Sequence, residues 1–242
     1  LCASRADAPV TQHAEAAAWQ ARLIAGARQL GLEMQPRQAE QCWLLAGLLR
    51  ERNQHVNLTA VDTLDGILTV HMLDSLAIVP HLGAAHRVID IGTGGGFPGL
   101  PLAIACPERE FLLIDGTQKK IRFVQEAIDA LLLGNARAEA VRAEQLSLPS
   151  QADVPRIEMA RFDVAILRAV GPLRSLVAVA TKLLEPTTGR ILAMKGKRPD
   201  AELADLPRGW MAELVPLAVP DLAAERHLVI LTRREPPQRV RR

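Results

Sequence analysis

The stretch from Val88 to Gly99, VIDIGTGGGFPG, constrains the fold more than any other part of the chain. An apolar run carries Asp90 near its end, four glycines follow within five positions, and Pro98 precedes the helix-compatible run LPLAIA. Glycines let the backbone turn sharply and approach a ligand closely, and proline suits the first turn of a helix. The pattern therefore predicts a strand, a ligand-binding glycine loop and a helix.

The spacing of the glycines separates two classes of ligand. The dinucleotide fingerprint G-x-G-x-x-G fits poorly, because Phe97 occupies its third glycine position when the count begins at Gly92. A carboxylate two residues before the first glycine instead resembles motif I of class I S-adenosylmethionine-dependent methyltransferases. In either class Asp115, which ends the next apolar run 23 residues after Gly92, can accept hydrogen bonds from ribose hydroxyls. An NAD-binding dehydrogenase and a loop without a ligand stay open at this point.

Strand-like and helical patterns alternate from Arg87 onwards. The last two strand-like runs, WMAELVPLAV and RHLVILTRR, have no helical pattern between them. We expect an α/β fold of the class I methyltransferase, Rossmann-like type: a doubly wound, mostly parallel sheet of seven strands with an antiparallel hairpin at one edge. Ligands bind such sheets beyond the carboxyl ends of the strands, where the glycine loop lies.

Three segments are predicted along the chain. The first 85 residues contain helical patterns, including one from about Thr63 to Pro80. We predict a helical extension packed on the core over residues 1–85, the cofactor-binding domain over residues 86–234, and a disordered basic tail over residues 235–242.

Composition and hydropathy indicate in which cellular compartment the protein works and which kinds of partner it can bind. No apolar run is long enough to span a bilayer, the N-terminal segment lacks a secretory pattern, and the three cysteines are widely spaced without a metal-ligand motif. These features predict a cytoplasmic protein without a metal or a membrane partner. We also expect a monomer, which these features do not themselves indicate. Because the net charge is only +2, any contact with RNA must come from local clusters of cations.

A series of motifs carries a family resemblance. In order and spacing, NLTAV, HMLDSL, VIDIGTGGGFPGLPLAI, LLIDGTQKKIRFV, VRAEQL, ILRAV and AMKGK resemble the bacterial small-subunit rRNA methyltransferase G family, also called glucose-inhibited division protein B. The resemblance covers about residues 50–200. It implies transfer of a methyl group from S-adenosylmethionine to N7 of guanine 527, in the 530 loop of 16S rRNA, as free RNA or within the small ribosomal subunit.

The candidate site residues have four expected roles. The first is cofactor binding: the resemblance implies contacts from Gly92, Phe97, Ala143, Glu144 and Arg168, and the glycine-loop and strand-end patterns add Asp90, Gly94 and Asp115. RNA contacts are assigned to Lys119, Lys120, Arg122, Lys195, Lys197 and Arg198. Arg168 and Lys195 are also candidates for positioning the substrate. A role in organising the site is assigned to Asn57, Thr59, His71, Asp74 and Ser75. Because His71 and Asp74 are three residues apart on one helix, their side chains can meet. Phe97 is expected to act as a lid over the cofactor.

Other base methylations need groups that this sequence does not place at the site. Cys42 and Cys106 fall in predicted helices as small hydrophobic residues, and the fourth strand ends in LRAV, without the Asn/Asp-Pro-Pro-aromatic motif of exocyclic-amine methyltransferases. Guanine N7 has an exposed lone pair, so its methylation needs alignment and exclusion of water. A methyltransferase acting on a small molecule or protein, and a non-catalytic nucleotide-binding module, are the alternatives.

Overall fold

A computed structural model describes residues 8–146 and 161–234 of the chain. The predicted basic tail at residues 235–242 lies outside the described residues. No described helix is long and apolar enough to cross a membrane.

A sheet of seven strands forms the centre of the fold. Its strands are β1 (Arg87–Ile91), β2 (Glu110–Asp115), β3 (Ala136–Ala140), β4 (Val164–Arg168), β5 (Arg190–Lys195), β6 (Trp210–Pro216) and β7 (His227–Arg233). Their order is β3-β2-β1-β4-β5-β7-β6. β1 to β5 run parallel, and β7 is antiparallel to both β5 and β6. The predicted doubly wound sheet with an antiparallel edge hairpin is therefore confirmed.

Nine α-helical segments and two other helical turns are described. The α-helical segments are α1 (Ala8–Gln29), α2 (Pro36–Asn53), α3 (Leu64–Gly66), α4 (Asp74–Leu76), α5 (Gly99–Ala105), α6 (Gln118–Ala130), α7 (Ala143–Leu146), α8 (Leu173–Ala180) and α9 (Asp200–Ala204). A π-helix, Ile67–Leu73, joins α3 to α4, and a 3-10 turn, Val79–Leu82, follows. The predicted helix near residues 63–80 is therefore present, but its middle is wound more loosely than an α-helix.

The N-terminal helices pack on one face of the sheet. Leu45 and Leu49 of α2 are fully buried in a core cluster that also contains Val88 of β1 and Leu113 of β2. Gln38 of α2 adds a polar connection, because its amide donates to the carbonyl of Ile104 at 2.8 Å. The residues before β1 therefore share their core with the sheet.

The cysteines are packed as apolar groups. Cys42 and Cys106 are buried in the same cluster as α2 and α5. Burial raises the pKa of Cys42 to about 12 and that of Cys106 to about 11. Both side chains are therefore neutral thiols at pH 7 and lack the thiolate that a nucleophile requires.

The connection between β1 and α5 is tightly packed. A Cβ atom added at Gly99 would lie 2.6 Å from Leu113 Cδ2 and 2.7 Å from Asp90 Oδ2. These distances are too short for a side chain, so α5 can begin this close to β2 only because its first residue is glycine. The close approach brings the start of α5 within reach of the carboxylate in β1.

Candidate functional site

A cavity of about 710 Å³ opens beyond the carboxyl ends of β1, β2 and β4. Its wall contains residues 91–95 with the glycine loop, the end of β2 at Asp115, residues 141–144, and residues 167–171 after β4. The volume is in the range of small-molecule and cofactor sites. The cavity therefore lies where the topology of a doubly wound sheet places a ligand.

Asp90 holds the glycine loop from the side that faces away from the cavity. Its side chain is 1% exposed, and Oδ2 accepts hydrogen bonds from Thr93 Oγ1 at 2.6 Å and from the backbone N–H of Gly99 at 2.9 Å. Burial raises its pKa to about 6, although the two hydrogen bonds oppose the shift. Asp90 was predicted to contact the cofactor, but it lies behind the cavity wall and holds the loop to α5.

Asp115 contacts the same loop from the cavity side. One carboxylate oxygen accepts the backbone N–H of Gly94 at 3.1 Å, and the other accepts that of Thr117 at 2.8 Å. The residue is half-buried and lines the cavity. Each oxygen keeps a lone pair for a ligand, because a carboxylate oxygen can accept two hydrogen bonds.

Arg168, at the end of β4, joins several elements of the opposite wall. One guanidinium nitrogen donates to the carbonyl of Val70 at 3.1 Å and lies 3.4 Å from Asp74 Oδ2, while the other lies 3.4 Å from His71 Nδ1. Asp74 also accepts from Arg226 Nε at 3.0 Å. Burial lowers the pKa of Arg168, and Asp74 opposes that shift. The end of β4, the π-helix, α4 and the residue before β7 are therefore joined through Asp74 and Arg168.

His71 is a buried, neutral side chain on the π-helix. Its ring stacks on Phe97 with centroids 4.5 Å apart, and Nε2 lies 2.7 Å from Thr59 Oγ1. Burial, together with the positive charge of Arg168, lowers the pKa of His71 to about 4, while the carbonyl of Val70 opposes the shift. The side chains of His71 and Asp74 were expected to meet, but in the described contacts Arg168 lies between them.

Phe97 forms part of the wall beside His71. Its side chain is 4% exposed, with the Arg168 guanidinium 5.6 Å from the ring centroid on one side and the His71 ring stacked against it. A side chain packed this closely belongs to the wall of the cavity, so the structure does not present it as the lid expected from the sequence.

The turn after α2 is held by Asn53, which sequence analysis missed. Asn53 Oδ1 accepts the N–H groups of Leu58 and Thr59 at 2.8 and 3.0 Å, and its amide donates to the carbonyl of Thr59 at 2.9 Å. Asn57, predicted to help organise the site, is exposed. Ser75 is fully buried, and its hydroxyl donates to the carbonyl of His71 within the helix. An asparagine at a helix end beside NLT was the available signal.

Lys195 is held by an ion pair instead of facing solvent as an RNA contact would. Its ammonium lies 2.8 Å from Glu202 Oε2 and donates to the carbonyl of Gly171 at 3.0 Å. Glu202 Oε2 also accepts the N–H of Leu173 at the start of α8. The carbonyl of Gly171 belongs to a segment with positive φ values of 56° at Ala169 and 42° at Gly171. This placement fits the expectation of a positioning residue better than that of an RNA contact.

The remaining predicted cations lie on two sides of the cavity. Lys119 and Arg122 are exposed on α6, and Lys120 lines the cavity. Lys197 and Arg198 are exposed after β5, where Arg198 pairs with Asp200 at 2.6 Å.

Further residues line the cavity near the end of β3. Arg142, missed by sequence analysis, is exposed and lines the cavity next to Lys120. Ala143 is buried and Glu144 is exposed, and both belong to the wall. Their contact with the cofactor stays a prediction.

Comparison with known proteins gives one consistent family. A family model described as rRNA small subunit methyltransferase G matches residues 38–229. A protein named Ribosomal RNA small subunit methyltransferase G from Ralstonia nicotianae is 42% identical over 218 residues, which cover 86% of this chain and 93% of the relative. One of the same name from Stenotrophomonas maltophilia strain K279a is 45% identical over 186 residues, covering 76% and 82%.

Solved structures share the fold at low sequence identity. A putative O-methyltransferase from Klebsiella pneumoniae has a TM-score of 0.52 at 16% identity, covering 79% of this chain and 90% of that chain. Cofactor-bound Rv0187 from MTB has a TM-score of 0.53 at 17% identity, covering 81% and 90%. These similarities concern the fold and agree with a class I methyltransferase architecture.

We expect His71 to make stability fall in mild acid. Its folded-state pKa of about 4 is below the ordinary 6.5, so the unfolded chain gains a proton in this interval that the folded protein does not. The free energy of unfolding should therefore decrease as the pH falls from about 6.5 to 4, by up to about 3 kcal/mol from this residue.

Urea unfolding of the wild-type protein and of His71→Gln across this pH range measures the effect. The variant should lose less stability on acidification, because glutamine does not titrate. His55→Gln, which replaces an exposed histidine, is the matched control. Equal pH dependence in the wild-type and His71→Gln proteins would contradict the assignment of a buried neutral imidazole.

Proposed function

The chain belongs to the rRNA small subunit methyltransferase G family and methylates ribosomal RNA with S-adenosylmethionine, and from that premise we propose that its target is N7 of guanine 527 in the 530 loop of 16S rRNA. The resemblance noted from the motifs is thereby confirmed at the level of the family. The methylated atom and its position in the RNA are the content of the proposal.

The cavity fits S-adenosylmethionine in shape and charge. Gly92 and Gly94 have positive φ values of 74° and 58°, and a Cβ at Gly92 would lie 2.8 Å from Val170 Cγ2. A bare backbone therefore faces the ligand space at this loop. Asp115 and Glu144 line the same cavity and provide carboxylates suited to ribose hydroxyls and to a ligand with a cationic sulfonium.

Different residues of the cavity supply different parts of cofactor binding. When bound, S-adenosylmethionine supplies an electrophilic methyl group. Asp115 accepts hydrogen bonds from hydroxyl groups while keeping Gly94 in place, and the glycine loop lets a ligand approach the backbone. Phe97 and His71 form an apolar wall that excludes water. The chain thus contributes binding, orientation and exclusion of solvent.

The ionisable groups of the cavity favour N7 over other base atoms. Among the described residues that line the cavity there is no cysteine, and His71 is neutral and already occupied by Thr59 and Arg168. The two carboxylates that line the cavity, Asp115 and Glu144, are assigned to the cofactor, and Asp115 also accepts a hydrogen bond from the glycine loop. Guanine N7 presents its lone pair without losing a proton, so alignment is sufficient. This lack of a placed nucleophile or base carries the proposal.

The direct test identifies the methylated nucleoside. Small ribosomal subunits from an unmethylated source are incubated with the protein and labelled S-adenosylmethionine, and the digested RNA is analysed. We expect 7-methylguanosine at position 527, and a methyl-transfer rate that is nearly flat between about pH 6 and 9, because no general base must be deprotonated. N2-methylguanosine, 5-methylcytidine, labelled ribosomal protein or no label would contradict the proposal.

Phosphate contacts are proposed on the α6 side of the cavity. Lys119, Lys120, Arg122 and Arg142 lie there without an ion pair among the described contacts. On the β5 side, Lys197 has no ion pair among the described contacts, but Lys195 pairs with Glu202, Arg198 with Asp200 and Arg174 with Asp205. Cations that already have a carboxylate neighbour create a weaker positive potential for a polyanion. The excess positive charge is therefore greater beside α6.

Neutralising the α6 side should lower the salt dependence of RNA binding. Lys119→Gln combined with Arg122→Gln should reduce the slope of log K against log salt by about one for each phosphate contact removed. The matched control combines Arg174→Gln with Arg198→Gln, which removes the same charge from the β5 side and should change the slope little. Equal reductions in both double variants, measured by fluorescence anisotropy, would contradict the asymmetry.

A further inference from the structure

The hydroxyl group of Thr59 has two hydrogen-bond partners in the structure, and this arrangement leaves it able only to donate a further hydrogen bond. Its hydroxyl oxygen accepts the backbone N–H of Val61 at 3.0 Å and lies 2.7 Å from His71 Nε2. Asn53 holds the N–H and the carbonyl of Thr59. The residue is half-buried, and its neighbours Leu58 and His71 line the cavity. Thr59 is therefore a fixed polar group that lies next to two residues of the cavity wall.

The protonation of His71 determines what Thr59 can do. Arg168 Nη2 lies 3.4 Å from Nδ1, and a guanidinium only donates hydrogen bonds. We assign the lone pair of the neutral imidazole to Nδ1, which faces this donor, and its proton to Nε2, because the nearby carbonyl of Val70 already accepts from Arg168 Nη1. Nε2–H then donates to Thr59 Oγ1. Because Val61 donates to the same oxygen, both of its lone pairs are occupied.

The hydroxyl hydrogen of Thr59 therefore remains for another acceptor. Among the described residues no hydrogen bond donated by Thr59 to a further group is found. A threonine with both lone pairs occupied can donate one hydrogen bond and can accept none. Such a group selects a partner that presents an acceptor and disfavours one that presents a donor.

We infer that Thr59 donates its hydroxyl hydrogen to O6 of the acceptor guanine and that this contact discriminates guanine from adenine. The inference rests on the proposed guanine-N7 function. On the edge of guanine that carries N7, the neighbouring group O6 is an acceptor, whereas adenine has an amino group that donates there. A hydroxyl that cannot accept would face the adenine amino group donor to donor.

The single hydrogen of a hydroxyl suits a base that reacts at N7. An arginine that bonds O6 and N7 together, a common contact to guanine, would occupy the lone pair that must attack the methyl group. A hydroxyl donates to one atom and leaves N7 free. It is also neutral, so it does not repel the positive charge that forms on the methylated guanine. Thr59 thus differs from the cations around the cavity in both number of donors and charge.

A double-mutant cycle, in which one change is made in the protein and the other in the target base, tests the contact. Wild-type protein and Thr59→Val are assayed on small subunits that contain either the target guanine or 2-aminopurine, which keeps N7 but lacks O6. Thr59→Val should lower kcat/KM on guanine by about tenfold or more, and should cause little further loss on 2-aminopurine. Thr59→Ser, which keeps the hydroxyl, should retain most activity. Affinity for S-adenosylmethionine should be similar in all three proteins.

The outcomes separate this inference from the function on which it rests. If wild-type protein forms 7-methylguanosine but the losses from Thr59→Val and 2-aminopurine multiply independently, the Thr59 contact is wrong and the proposed function stands. If wild-type protein does not form 7-methylguanosine, both are wrong.

A measurement on the unaltered protein covers the case in which Thr59→Val does not fold. Nitrogen-15 NMR of the imidazole, assigned with His71→Gln, should show His71 protonated on Nε2. Protonation on Nδ1 would overturn the inference, because Thr59 would then donate to His71.

Discussion

Two carboxylates hold the glycine loop on which the rest of the site depends. Asp90 accepts Thr93 and Gly99 from below, and Asp115 accepts Gly94 from the side. A run of glycines loses much conformational entropy when it becomes ordered, so a loop of this composition needs such anchors to keep one shape. The anchors come from β1 and β2, which pair in parallel from Arg87 to Ile91, so that Asp115 is the next residue of β2 beyond this pairing. The sheet therefore fixes the spacing of the carboxylates, and the carboxylates fix the loop.

The opposite wall is organised by a buried network of charged and neutral groups. Asp74 contacts Arg168 and Arg226, Arg168 contacts His71, and His71 contacts Thr59. The network connects the residue before β7 with α4, β4, the π-helix and the turn after α2. π-helical turns are often found at functional sites. Hydrogen bonds and ion pairs within a buried network rigidify their surroundings, so this wall is set before a substrate arrives, with the hydroxyl hydrogen of Thr59 left for the substrate.

Features encoded by local pattern could be predicted from the sequence, and long-range pairings could not. The strands, the glycine loop and the position of Asp115 follow from alternation and from the rule that ligands bind at strand ends. The pairing of Asp74 with Arg226 joins residues 152 positions apart, and no local pattern indicates it. From the sequence, Lys195 was interpreted as an unpaired cation in a basic run. The folded chain places Glu202 beside it, seven residues further on, and the two form an ion pair. Asn53 was missed because its amide acts beyond the end of its own helix.

The central claim is that Asp115 binds S-adenosylmethionine while Asp90 only shapes the loop behind it. Isothermal titration calorimetry with S-adenosylmethionine on wild-type protein, Asp115→Ala and Asp129→Ala measures this most directly. Asp129 is an exposed carboxylate on α6 outside the cavity wall and serves as the matched control. Asp115→Ala should bind about 10- to 100-fold more weakly, because a charge-assisted hydrogen bond is lost, and Asp129→Ala should bind as wild type does. Unchanged affinity in a folded Asp115→Ala protein would contradict the account.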